Sequence, residues 1–322
     1  MGPAAGVSPS AALEAALSTA LTSVLSTDVR VTRLRPVGGG SLDTPPGWRP
    51  TDACDGPWAQ SPINNTAVAE TSAGAFFVKS REGATAAEFE AERDGLEALR
   101  AADCGLYVPR IVALVSRPAM LVLEHLPPGR PATDYDLRLG RGLATLHLAT
   151  TDRGFGFARD NFCGATPQAN GFLPAWIPFY RERRLRPLVE RLSRAGALDT
   201  DDRRVFDRLL DRLEALLAAP DEPPALIHGD LWSGNVHCMA DGRPALVDPA
   251  AYYGHREAEL GMMVLFGGFS ERVFEAYEAV RPLAPGWRAR LPLYTLYHVL
   301  NHAVLFGGGY VRQAVGIARR FG

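Results

Sequence analysis

Apolar positions along this chain follow two different periods, and the change falls near residue 126. Upstream, short apolar runs bounded by turn residues predict strands. One covers residues 29 to 36. The stretch "TAVAETSAGAFFVKS" folds about Ser72-Ala73-Gly74 as a hairpin ending at Lys79, and "PRIVALVSRPAMLVLEHL" gives two more strands about Arg117-Pro118. Between these pairs, "TAAEFEAERDGLEALRAA" places Phe89, Leu96 and Leu99 at helical spacing and carries Glu88, Glu90 and Glu92. Leu13, Leu17, Leu21, Val24 and Leu25, behind Ser10 as N-cap, predict an amphipathic helix packed on the domain. Pro127-Pro128-Gly129 closes this part of the chain.

Beyond the breaker the period is helical. Leu139, Leu143 and Leu146 share one face after the start signals Thr133 and Asp136. Val205, Phe206, Leu209, Leu210, Leu213, Leu216 and Leu217 repeat the theme, and the tail from Leu291 is helical up to Gly307-Gly308-Gly309. The pattern predicts an α+β chain with a small N-terminal lobe (residues 1–125), built from an antiparallel sheet and one main helix. A larger, mainly helical C-terminal lobe (residues 126–322) follows.

Composition removes several classes of function. The 322 residues suit about two domains, and 47% apolar with 22% charged residues describes a folded globular chain. A net charge of −2 gives no reason to expect nucleic acid, and Arg181 to Arg186 reads as the solvated face of a helix. No apolar run approaches about 18 residues, so no membrane span is expected. Cys54, Cys104, Cys163 and Cys238 form no C-x-x-C pair, which argues against a zinc site and a disulfide scaffold; the last three read as small buried or half-buried residues. No basic residue precedes Arg30, so no leader is expected and a reducing, cytoplasmic setting is the default.

The candidate chemistry lies in "ALIHGDLWSGNVHCMADGRPALVDPAAYYGH". Asp241-Gly242 predicts a tight turn between two short strands, and pairing centred on that dipeptide sets Asn235 opposite Asp248, where oxygens can share a magnesium ion. Asp230 precedes Asn235 with the D-x-x-x-x-N spacing of a kinase catalytic loop, in which the Asp takes the hydroxyl proton and the Asn holds metal. Phosphoryl transfer needs an oriented nucleophile and neutralised phosphate charge more than covalent help. Lys79, alone a solvated strand-end lysine, gains meaning from Glu92 downstream, which matches the lysine–glutamate pair that positions phosphates; Glu88 and Glu90 remain open as its partner. His228 is expected to brace the catalytic turn and His147 to lie in the core. Pro249 is expected to hold Asp248 extended, and Gly229 stands where regulated protein kinases carry a phosphate-sensing Arg, so a constitutively assembled site is predicted.

"HGDLWSGN", "DPAAYYGHREAELGMMVLFGGF", "LYHVLNHAVLFGGGY", "DNFCGATPQANGF" and "FYRERRLRPL" together resemble the fructosamine kinase (ketosamine 3-kinase) family, from about Arg30 to the end. H-G-D-x-x-x-x-N by itself is shared with aminoglycoside phosphotransferases and choline kinases. The resemblance implies a two-lobed protein-kinase-like fold, ATP and Mg2+. The implied reaction transfers the γ-phosphoryl group to the 3-hydroxyl of a ketosamine, a glycated amine that is free or borne on a protein lysine. The phosphorylated adduct then eliminates and frees the amine. By position, Asp230 is the implied base, Asn235 and Asp248 the metal ligands, and Lys79 with Glu92 the phosphate-positioning pair. The resemblance further makes Glu124, His125 and Leu126 the adenine-reading hinge, Trp232 an aromatic wall for the sugar, and His255, Asn301 and His302 candidate acceptor-pocket residues; for these last three a capping or core role stays open. The expected partner is the small-molecule or protein-bound glycated amine, with neither nucleic acid nor membrane, and a monomer is favoured.

Gly38, Gly39, Gly40 and Ser41 fit the phosphate-covering glycine turn, and Ile63-Asn64-Asn65 fits the start of the strand that follows. Residues 42 to 62 then form an inserted loop at the turn's tip, which is either a neutral bulge or a lid bringing Trp48 or Trp58 near substrate, with Cys54 as an exposed redox handle. Two other functions compete: a kinase for an amino-alcohol or aminoglycoside, and a pseudokinase that binds nucleotide only.

Overall fold

The computed structural model describes residues 9–37, 65–81, 83–217 and 222–322. The glycine turn Gly38 to Ser41 and the insertion 42 to 62, with Trp48, Cys54 and Trp58, lie outside the described residues. The chain opens with α1 (Pro9–Leu25), β1 (Val31–Val37), β2 (Asn65–Thr71), β3 (Gly74–Ser80), α2 (Ala86–Ala101), β4 (Ile111–Ser116) and β5 (Ala119–Glu124). The strands form one antiparallel sheet in the order β1-β2-β3-β5-β4.

Alternation along β3 and β5 divides their side chains between two cores. Phe76, Val78, Met120 and Val122 pack with Leu17 and Leu21 of α1. Phe77, Leu121 and Leu123 point the other way, into a core shared with Phe89, Leu96 and Leu99 of α2 and with the helical part of the chain. The predicted α1 face is narrower than its sequence pattern: Leu17 and Leu21 are fully buried, whereas Val24 and Leu25 are 52% and 38% exposed. Ser10 lies within α1 and so is not its cap. The helix packs on the sheet through Leu17 and Leu21, with Leu13, Ala16 and Ala20 beside them.

The remainder contains α3 (Tyr135–Leu146), the ribbon β6 (Asn161–Cys163) and β7 (Thr166–Gln168), then α4 (Trp176–Phe179), which runs through a π-helical turn (Tyr180–Leu185) into α5 (Arg186–Arg194). Next come α6 (Thr200–Leu217), β8 (Ala225–Ile227), β9 (Val236–Cys238), β10 (Pro244–Leu246), β11 (Tyr252–Gly254), α7 (Arg256–Leu265), α8 (Glu271–Glu278), α9 (Trp287–Phe306) and α10 (Gly309–Phe321). Leu139, Leu143 and Leu146 are buried as their spacing predicts. No helix among the described residues is long and apolar enough to cross a membrane.

The arginine stretch departs from expectation. Arg184 is fully buried, not solvated. Its guanidinium lies 4.0 Å from the Tyr252 ring centroid and donates to the Ala169 carbonyl at 2.7 Å and to Asn170 Oδ1 at 2.6 Å. A π turn inserts one residue into the helical repeat and changes which side chains face inward, so a period-3.6 reading misplaces this arginine.

The short hairpin is shifted by one residue from the sequence prediction. Val236 pairs with Leu246 and Cys238 with Pro244. The connection is a three-residue loop in which Gly242 has φ +79° and Met239 N–H donates to the Arg243 carbonyl at 3.0 Å. A left-handed glycine closing such a loop makes it one residue longer than the predicted two-residue turn. Asn235 therefore faces Val247, whose N–H it accepts at 3.1 Å, and Asp248 stands one residue past the ladder.

Candidate active site

The turn between β8 and β9 is built on glycine and a buried acid. Gly229 has φ +83°, and a Cβ there would lie 2.2 Å from the Ala250 carbonyl oxygen, so only glycine fits. Glu259 of α7 is 1% exposed; it accepts the His228 N–H at 2.5 Å and the Gly229 N–H at 3.1 Å. His228 Nδ1 accepts from Asp230 N–H at 3.3 Å and its Nε2 donates to the Val247 carbonyl at 2.8 Å, a pattern that requires the neutral ring. Burial lowers the His228 pKa, which agrees with that tautomer. His228 thus ties the Asp230 turn to the strand leading to Asp248, the bracing role expected of it.

Asp230 is strongly perturbed. Burial, with the Glu259 charge added, pushes its pKa up to about 7 against hydrogen bonds from Asn235 and Cys163. Asn235 Nδ2 donates to the Asp230 carbonyl at 2.8 Å and lies 3.4 Å from its Oδ2. That spends the amide nitrogen and leaves Oδ1 as the atom Asn235 can offer to a metal. His298 of α9, which the sequence reading passed over, sets Nδ1 3.8 Å from Asp230 Oδ1. Burial, with His302 nearby, pushes its pKa down to about 3 and keeps it neutral. Its one visible signal was its place four residues before His302, on the same helix face.

Across the cleft, Lys79 on β3 is 3% exposed and meets two carboxylates. Its Nζ lies 2.7 Å from Glu92 Oε1 and in direct contact with Asp248 Oδ1. The sequence left three acids open as its partner. Glu88 instead pairs with Arg81 and caps its own helix at Thr85, while Glu90 pairs with Arg159 at 2.9 Å.

Asp248 is not extended as Pro249 led us to expect; its φ is +59°. Asp tolerates this left-handed region better than most residues, and the segment after it is held firmly. Ala250 N–H donates to the His228 carbonyl at 2.9 Å, Gln168 Nε2 lies 3.3 Å from the Ala250 carbonyl, and Asn161 Nδ2 donates to the Ala251 carbonyl at 2.9 Å. Gln168, Asn161, Asn170, Arg184 and Tyr297 form one buried hydrogen-bonded network behind this segment. The "DNFCGATPQAN" stretch thereby fixes the turn that aims Asp248 at Lys79.

A narrow cleft beside Lys79 is lined by Phe77, Pro109, Leu123, Glu124, Val247 and Asp248. The Glu124 carboxylate is occupied by Tyr107 OH at 2.7 Å and by Arg110 N–H and Nε at 2.8 Å each, so at the expected hinge its side chain is a structural clamp. His125 is half-buried and Leu126 is buried beside it.

Trp232 lies over Gly234, where a Cβ would come within 2.2 Å of the indole. Its ring meets Phe266 edge-on at 6.5 Å, and Phe266, Phe306 and Tyr310 surround His302 at 5.0 to 5.5 Å. Asn301 is buried, its Nδ2 donating to the Cys163 carbonyl at 3.2 Å. His255 takes the capping role left open for it. It is 3% exposed, caps α7 by accepting the Glu257 N–H at 3.2 Å, and stacks on Tyr294. Its position directly before an acidic first turn makes it a cap for the same reason that Asn and Asp are caps: an acceptor atom within reach of free N–H groups.

The oxygen-only offer of Asn235 Oδ1 and the Asp248 carboxylate suits a hard divalent ion. Residues 56–321 match the fructosamine kinase family model. A Synechocystis protein named as a ketoamine kinase is 42% identical over 241 residues, covering 74% of this chain and 80% of that one. A chloroplastic protein-ribulosamine 3-kinase of Oryza sativa subsp. indica is 38% identical over 262 residues, covering 79% and 75%. The crystal structure of a Thermobifida fusca chain described as a fructosamine-3-kinase superposes with a TM-score of 0.78 at 34% identity, covering 94% and 97%. By family match, identity and fold, the chain belongs to the fructosamine kinase family.

Proposed function

We propose that this protein is an ATP-dependent ketosamine 3-kinase, phosphorylating the 3-hydroxyl of ribulosamine or fructosamine adducts. The observation that carries the reading is Lys79, joined at once to Glu92 and Asp248 in a cleft that both Lys79 and Asp248 line. A buried lysine clamped between two carboxylates can give its charge to the phosphates of a nucleotide, and its partners fix where that charge sits. Residues 1–125 would then form the nucleotide-binding lobe and residues 126–322 the catalytic and acceptor lobe.

Asp230 serves as the base. With a pKa near 7 it is largely ionised at slightly alkaline pH yet basic enough to take a proton as the acceptor oxygen attacks. The new bond joins the 3-oxygen to the γ-phosphorus, the bond to the β-bridging oxygen breaks, and the hydroxyl proton passes to Asp230. Asn235 and Asp248 would hold Mg2+, which when bound neutralises phosphate charge. Trp232, Phe266 and His302 offer the apolar wall against which a sugar can lie.

The test is incubation with ATP, Mg2+ and synthetic ribulose-lysine or fructose-lysine, followed by mass, beside the Asp230→Ala variant. A phosphate added by wild type and not by the variant is the expected result. Phosphorylation of choline or an aminoglycoside in preference to both ketosamines overturns the acceptor assignment.

A further inference from the structure

Two side chains from distant parts of the sequence converge on the proposed base. Cys163 closes β6, Asp230 follows β8, and His298 lies in α9. One ligand atom from each lies within 4.8 Å of the other two. His298 is 5% exposed and its Nδ1, 3.8 Å from Asp230 Oδ1, has no hydrogen-bond partner. That separation is too long for a hydrogen bond, so the ring nitrogen is aimed at a carboxylate it does not satisfy. The Cys163 thiol is buried against the same carboxylate.

Nitrogen, sulfur and oxygen donors together suit a borderline-soft ion such as Zn2+, which binds them at about 2.0–2.3 Å. Atoms spaced as these are can close on one ion with small side-chain shifts. The oxygen-only pair Asn235 and Asp248 selects a harder ion, so the two places differ in chemistry although both adjoin Asp230. Absence of a C-x-x-C pair argued against zinc, but that argument sees only ligands close in sequence. With 21% of its side chain exposed, Asp230 gives the cluster a route to solvent.

We propose that Cys163, Asp230 and His298 form an inhibitory binding site for Zn2+. On binding, the thiol proton leaves to solvent, a sulfur–metal bond forms without change of oxidation state, and the Asp230 carboxylate becomes a ligand. It then cannot accept the proton of an acceptor hydroxyl. The inhibition rests on Asp230 being the base, whereas the binding does not.

Co2+ added to the nucleotide-free full-length protein tests the binding. The expected result is one tightly bound ion with a thiolate-to-cobalt charge-transfer band in the near ultraviolet, displaced by Zn2+. The band should vanish in Cys163→Ser and His298→Ala and persist in Cys104→Ser, with circular dichroism confirming that each variant folds. A wild type without the band, or a Cys163→Ser protein that keeps it, overturns the site. For inhibition, Zn2+ is titrated at saturating Mg-ATP. Inhibition competitive with the ketosamine is expected, weakened in Cys163→Ser by more than the roughly 10–100-fold that loss of an outer-shell partner costs. An active enzyme that shows the band and no inhibition overturns the inhibitory role. A protein that shows the band but phosphorylates no ketosamine refutes the kinase reading and leaves the metal site standing.

Discussion

Glu259 Oε2 accepts the backbone N–H of His228 at 2.5 Å, while its other oxygen accepts that of Gly229. A helix-borne acid therefore holds the peptide turn that presents Asp230, and its charge helps to raise the Asp230 pKa to about 7. Glu259→Gln keeps the size of the side chain but replaces two charge-assisted hydrogen bonds with weaker ones. We expect it to lower stability by about 1.5–3 kcal/mol, read from denaturant melts. In the remaining folded enzyme the acid limb of kcat/KM should move to lower pH, because the charge that raised the Asp230 pKa is gone. A destabilised enzyme with an unmoved limb would show that Glu259 acts on structure alone.

Asp230 itself sits at a cost to the fold. Its folded pKa of about 7 exceeds the ordinary aspartate value of 3.8, so folding disfavours its ionised form, and the penalty grows as pH rises from the lower value to the higher. Asp230→Asn should accordingly raise stability at pH 8 by about 1–2 kcal/mol, after allowance for its partial exposure. The same change should lower kcat by about 10²- to 10⁴-fold, the usual worth of a general base. Thermal melts and initial rates on one preparation decide both.

Lys79 and Asp248 are expected to act as a coupled pair. Asp248→Asn should weaken magnesium-dependent ATP binding measured by calorimetry, because Lys79 loses one of its two carboxylates and the proposed metal site one of its two ligands. Lys79→Met should weaken ATP binding and leave Glu92 without its cation. The double variant Lys79→Met/Asp248→Asn should lose less than the sum of the single losses, since groups in contact do not act independently. Strict additivity would separate the two.

Stability should fall on acidification below about pH 6.5. His147, His228, His255, His298 and His302 all have pKa values lowered by burial from the ordinary histidine value of 6.5. The unfolded chain binds their protons first, so the stability they contribute is present above pH 6.5 and is lost as pH falls toward their folded values. Asp230 works in the opposite direction, but it is one group against five. Urea midpoints between pH 5 and pH 8 measure the balance, and a midpoint that rises on acidification would contradict it.

Local sequence determined the parts whose information is local. The switch from strand-like to helical spacing, the Phe89, Leu96, Leu99 face and the D-x-x-x-x-N spacing of Asp230 and Asn235 were all legible, because period and spacing reflect backbone geometry a few residues at a time. Where the local rule was nearly right, a single backbone detail broke it. The left-handed Gly242 lengthened the hairpin loop and moved Asn235 off Asp248, and the π turn carried Arg184 into the core. Long-range contact decided the rest. Only tertiary packing chose Glu92 over Glu88 and Glu90 for Lys79, since helical phase relative to a distant strand is not encoded in spacing. Only packing brought Glu259 under the turn that carries Asp230 and set His298 and Cys163 beside Asp230. Burial in that assembled interior changes the proton affinity of Asp230 and His298, and desolvation is a property of the assembled fold that no stretch of sequence possesses by itself.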